Sequence, residues 1–142
     1  MIGWSTARYA VLAVALASWA PPAFAQDPAA TTVQSIARDW LALTDRGDGA
    51  ASWDAAARQF KNAIARDRWA EALQKTRDPI GALERRTVLS TTFATTFPGA
   101  PDGNYAIVLF RTSFAKKTDA TETVTLEREA DGAWRVIGYF IR

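Results

Sequence analysis

The chain has no histidine and no cysteine. Without histidine it lacks the usual general base near neutral pH and the commonest metal ligand. Without cysteine it has no disulfide, no thiolate metal site and no point for lipid attachment. The two absences together exclude Ser-His-Asp and Cys-His catalysis. Zinc would have to be held by carboxylates alone, a poor choice for that metal. Neither a metal nor a cofactor is expected. Charge of one sign is lacking too, with 17 Lys and Arg against 15 Asp and Glu. Arg85-Arg86 and Lys116-Lys117 are pairs and not runs, so the basic stripe of a nucleic-acid binder is missing.

Long apolar runs are confined to the start. Met1 to Arg8 carries one positive charge and no acid, and Tyr9 to Ala20 is almost wholly apolar. Pro21-Pro22 then breaks any helix, and Ala23-Phe24-Ala25 places small residues where a signal peptidase reads. Residues 1–25 therefore read as a secretory leader, with cleavage expected between Ala25 and Gln26. The run is shorter than the ~20 residues a bilayer span needs. A periplasmic or secreted protein follows, with no membrane span after cleavage. Residues 26–30 read as a tether and 31–142 as a single domain, long enough to bury one core.

Helical periodicity comes first in that domain. Thr31 and Gln34 have capping-box spacing, and Val33, Ile36, Ala37, Trp40, Leu41 and Thr44 share one helical face. The helix should stop at Asp45-Arg46-Gly47, with Gly47 in the left-handed conformation. Asp48 or Ser52 could cap a second helix with Trp53, Ala56, Ala57, Phe60 and Ile64 inward. A third should follow Asp67, with Trp69, Ala72, Leu73 and Thr76 inward, and end before Pro79. Spacing leaves open whether the last two are continuous. The segment Asp45-Arg46-Gly47-Asp48-Gly49 lacks the ligand spacing of a calcium loop and reads better as a helix end and turn.

From Arg85 onward the pattern changes to runs rich in Val, Ile, Thr, Phe and Tyr. Turn signals separate them at 97–104, at Lys116-Lys117-Thr118-Asp119 and at Asp131-Gly132, which predicts a four-stranded antiparallel meander. Helices followed by sheet make the fold class α+β. If Asp131-Gly132 is a two-residue type I′ loop, counting outward sets the register. Leu126 then faces Ile137, Val124 faces Tyr139 and Glu122 faces Ile141, on the side turned to the helices. Glu127 faces Val136, Thr125 faces Gly138 and Thr123 faces Phe140 on the other side. Arg128 falls opposite Arg135, which is unfavourable and calls for a nearby acid or a bulge.

Several stretches resemble the domain of unknown function 4019 family. They are Pro98-Gly99-Ala100-Pro101-Asp102-Gly103-Asn104-Tyr105, Thr121-Glu122-Thr123-Val124-Thr125-Leu126 and the ending from Asp131 to Arg142. Ser52-Trp53-Asp54, Phe60-Lys61, Trp69 and Arg77-Asp78-Pro79-Ile80-Gly81 are similar as well. The resemblance implies a bacterial exported domain whose helices pack on a bent sheet, a cone of the cystatin or nuclear transport factor 2-like class. It brings no assigned activity and no catalytic residues, and fold analogy alone does not supply a function.

Carboxylates, tyrosine and arginine remain for chemistry. Glu122 and Tyr139 are the candidate ligand-binding pair, because the register turns both toward the helices from adjacent strands. Asp54 reads as a first-turn helix charge, and Arg77 as a dipole partner or ion-pair member. Trp40, Trp53 and Trp69 sit at core-like helical positions. The favoured function is a non-catalytic module that binds an unknown protein or small molecule. The rival is a small acid–base enzyme, an isomerase or dehydratase, using Glu122 and Tyr139. A third reading is a homodimer formed through an outer sheet face carrying Trp134, Val136 and Phe140.

Overall fold

The computed structural model describes residues 27–142, so the expected leader and Gln26 lie outside the described residues. Four α-helices precede four strands: α1 (Pro28–Asp45), α2 (Gly49–Asp54), α3 (Arg58–Ala63), α4 (Arg66–Arg77), β1 (Leu83–Ala94), β2 (Tyr105–Phe114), β3 (Lys117–Arg128) and β4 (Trp134–Ile141). The strands form one antiparallel sheet in the order β1-β2-β3-β4. This is the α+β meander that the sequence predicts. No helix among the described residues is long and apolar enough to cross a membrane.

α1 lies across one face of the sheet and contacts every strand. Its Val33, Ala37, Trp40 and Leu41 pack on Ala106, Val108, Phe110, Val124, Leu126 and Val136. The helix starts at Pro28, three residues before the expected Thr31. Asp27 caps it by accepting from the Ala29 amide at 2.9 Å. Proline at the first helical position suits this start, since its missing N–H would be unbonded there anyway. Gln34 is therefore mid-helix and donates to Thr91 Oγ1 of β1 at 2.9 Å. Gly47, with φ 71°, closes the far end as expected.

The second expected helix is two short ones. Asp48 caps α2 by accepting from the Ala51 amide. The chain then leaves helical geometry at Ala57, whose amide donates to Val136 O on the free edge of β4 at 2.8 Å. That bond occupies one carbonyl of the β4 edge, and edge strands are commonly blunted by such contacts. Asp54 thus sits at the end of α2, paired with Arg66 at 2.8 Å, and is not a first-turn charge. In α4, Leu73 is buried, but Ala72 and Thr76 face solvent while Arg77 turns inward. A 3₁₀ turn at Asp78–Ile80 carries the chain past Pro79 to β1.

The last hairpin corrects the expected register in its upper half. The loop is Ala130-Asp131-Gly132: the Gly132 amide donates to Glu129 O at 2.8 Å and the Glu129 amide to Ala133 O at 2.9 Å. Only Gly132 takes positive φ there, at 84°, so a three-residue loop replaces the type I′ turn. Leu126 accordingly pairs with Val136, Glu127 with Arg135 and Arg128 with Trp134. A bulge at Ile137 then restores the expected pairs, Thr125 with Gly138 through Glu122 with Ile141. The two shifts cancel, and they keep Arg128 and Arg135 from facing each other. They also move Val136 and Trp134 to the helix side, where Val136 is buried and Trp134 packs against the core. Of the expected outer apolar trio only Phe140 remains outside, 65% exposed.

Candidate functional site

Glu122 and Tyr139 do meet on the helix-covered face. The Tyr139 hydroxyl donates to Glu122 Oε2 across the β3–β4 ladder. Glu122 is wholly buried, at 0% exposure. Its surroundings are donors: Arg86 Nε at 2.7 Å and Thr112 Oγ1 at 2.6 Å reach Oε1, and Arg86 Nη2 reaches Oε2 at 3.2 Å. Strand alternation puts these groups together, since Arg86 pairs with Thr112, which pairs with Ala120 two residues before Glu122.

The same guanidinium extends the network to the helices. Arg86 Nη1 and Nη2 donate to Asp45 at 2.8 and 2.9 Å. Arg77 Nη2 donates to Asp45 Oδ1 at 2.9 Å, and its Nη1 to Thr44 Oγ1 at 3.1 Å. The Arg77 guanidinium also lies over the Phe114 ring at 4.7 Å. Two carboxyl groups and two guanidinium groups thus balance beneath the C-terminal end of α1. An acid at that helix end is disfavoured by the helix dipole. Asp45 is tolerated because the two arginines surround it.

The electrostatics follow from this packing. Burial by itself would raise the Asp45 carboxyl, but hydrogen bonds and charge from Arg86 and then Arg77 hold it below the usual carboxylate range. Burial opposes the Arg86 charge, and Asp45 and Glu122 more than restore it. Burial first, then the Glu122 charge and hydrogen bond, push the Tyr139 phenol well above its ordinary value. Such a cluster fixes strand and helix positions. Each Glu122 oxygen is already engaged, so a substrate would have to displace Arg86 or Tyr139 to reach it.

Asp45, Arg77 and Arg86 were not legible as one cluster from sequence. The available signals were the acid in the last turn of α1 and the inward parity of Arg86 with Val88. Trp40 ties the cluster to the helices, with its ring edge-on to Tyr139 at 5.4 Å and tilted against Trp69 at 6.0 Å. Its indole donates to Ser52 O, Trp53 donates to Ile64 O and Trp69 donates to Ser52 Oγ, each at 2.8 Å. These three tryptophans are satisfied structural residues.

The opposite end of the same face is open. There α1 begins, and Ala29 of its first turn lines the same depression as residues of β1 and β4. A depression of about 580 Å³ is lined by Ala29, Phe93, Thr95, Asn104, Arg128 and Trp134, among others. Phe93 is 42% exposed, and its ring meets Trp134 edge-on at 6.0 Å. Among the described residues no group of three or more acidic side chains is arranged to hold a metal.

These features define a class: a small α+β domain with one helix across a four-stranded meander, an ion network packed beneath one end and aromatic surface exposed at the other. A family model described as Protein of unknown function (DUF4019) matches residues 36–139, and the chain belongs to that family. No curated protein matches the chain.

Proposed function

We propose that this is an exported, non-catalytic binding domain that takes its ligand at the uncovered end of the helix-side face, against Phe93 and Trp134. One observation carries the binding assignment. An apolar aromatic ring left 42% exposed beside a second aromatic, in a depression of about 580 Å³, lies within the size range of small-molecule sites. Export to the periplasm or medium rests on the leader pattern of residues 1–25. The helix laid across an antiparallel meander supports kinship with cystatin- or nuclear transport factor 2-like domains.

The acid–base reading keeps Glu122 and Tyr139 as its pair. Its obstacle is the Arg86 clamp, which occupies the carboxyl group a substrate would need. A small-molecule screen followed by amide and indole NMR shifts separates the two readings. Binding predicts shifts clustered at Phe93, Thr95 and Trp134. Shifts centred on Glu122 and Tyr139 would instead support chemistry at the ion network.

Self-association through the outer face is a second reading, on a specific observation. Phe140 protrudes from that face two residues from Gly138, which has no side chain. A twofold axis across the strands would seat each Phe140 over its partner's Gly138. Sedimentation of the wild type and of Phe140→Glu checks it. A monomer at high concentration in both would remove this reading.

A further inference from the structure

Resting on the binding reading above, we infer that the open end selects a small apolar carboxylate: an anionic head held by Arg128 and the Trp134 indole, with its apolar body against Phe93. The charge at this depression is one-sided. Arg128 is the charged residue among those lining it, and no Asp or Glu lines it. The wider cleft between α3 and the β3–β4 hairpin differs, because it mixes four acids with three bases. Arg128 is exposed and donates from Nε to Gly132 O at 3.2 Å. It makes no ion pair with any carboxylate among the described residues. Arg135, by contrast, is engaged by Glu129 and Asp131, each at 2.9 Å.

Trp134 supplies a second, independent donor. Trp40, Trp53 and Trp69 each give their indole N–H to a protein acceptor. Trp134 has no such acceptor, and its nitrogen is not among the buried unpaired atoms, so its N–H stays available. Its ring also packs against the core, which fixes its position. Arg128 and Trp134 are cross-strand partners on the same sheet face, and both residues line the depression. A guanidinium and an indole N–H can both give hydrogen bonds to a carboxylate. Phe93 meets Trp134 edge-on at the rim of the depression and offers apolar contact to the rest of the molecule.

Calorimetric titration of the purified protein tests this with two probes of one tail and opposite charge. Dodecanoate and dodecyltrimethylammonium are used below their micellar concentrations. Dodecanoate should bind and the cation should not, and the Trp134 indole N–H resonance should move with dodecanoate. Arg128→Glu should weaken dodecanoate by about tenfold or more. It should also favour the cationic probe, while Phe93→Ala should weaken whichever probe binds. Equal affinity for both probes, lost on Phe93→Ala, would overturn the anion assignment and leave the binding site standing. Binding of neither probe, or binding unaffected by both substitutions, would overturn the anion assignment and count against a site at this end.

Discussion

Arg86 Nε lies 2.7 Å from Glu122 Oε1, with the arginine side chain 7% exposed and the carboxyl group 0%. Two such charges are stable in the interior only because Asp45, Thr112 and Tyr139 complete the shell. Removing one partner leaves the other buried and uncompensated, which costs more than the pair itself contributes. Arg86→Met should therefore destabilise the fold by about 3–5 kcal/mol. Urea denaturation measures it. A loss below about 1 kcal/mol, the scale of a surface pair, would show that the network does not hold the fold.

Tyr139→Phe removes one donor and keeps the ring that packs edge-on against Trp40. Hydrogen bonds to a charged group contribute about 1.5–3 kcal/mol, so a loss of that size is expected. In a double-mutant cycle with Arg86→Met the two losses should not add, because both act on Glu122. Additive losses would place them in separate networks.

The sequence pattern made much of this arrangement legible, for physical reasons that differ by region. Strand parity is robust, so Glu122, Val124 and Tyr139 were readable as neighbours on one face. The upper half of the same hairpin was not, because two one-residue shifts of opposite effect, at Gly132 and Ile137, leave no trace in apolar alternation. Trp134 and Val136 changed faces as a result. The split between α2 and α3 was equally hidden. It depends on the Ala57 amide reaching β4, a contact between distant parts of the chain. The ion network needed the same long-range knowledge, since Asp45, Arg77 and Arg86 come from three elements.

Gly49 is required by packing, and not by its backbone angles. A Cβ there would lie 2.5 Å from Ala70 Cα, where α2 crosses α4. Backbone cannot yield as a flexible side chain does. Gly49→Ala should cost about 1–3 kcal/mol, as overpacking does, although alanine is ordinarily the better helix former. A raised melting temperature would mean that the two helices separate easily.

Gly132 tests the corrected hairpin. Its φ of 84° suits glycine, whereas Asp131 needs no positive φ. Gly132→Val should cost on the order of 1–3 kcal/mol in backbone strain. Asp131→Ala should be milder, because it removes exposed contacts to Arg135 and the Ala133 amide and imposes no strain. Equal losses for both would favour the type I′ loop that the sequence alone suggests.

The pH dependence of stability should carry both ends of the network with opposite signs. Asp45 is held below its ordinary value in the folded protein, so the unfolded chain binds its proton first as pH falls. Its contribution is complete above about pH 4 and is lost as pH drops through the lower folded value. Tyr139 is pushed above its ordinary value, so the unfolded chain gives up its proton first as pH rises. Its contribution is complete below about pH 10 and declines above that. Urea denaturation across pH, for wild type, Asp45→Asn and Tyr139→Phe, resolves the two limbs. The gap between wild type and Asp45→Asn should narrow below about pH 4, and that between wild type and Tyr139→Phe should narrow above about pH 10. A gap to Tyr139→Phe that stays constant through the alkaline range would mean that the phenol ionises as readily in the folded protein as in the unfolded one. That result would remove Glu122 and burial as controls on Tyr139.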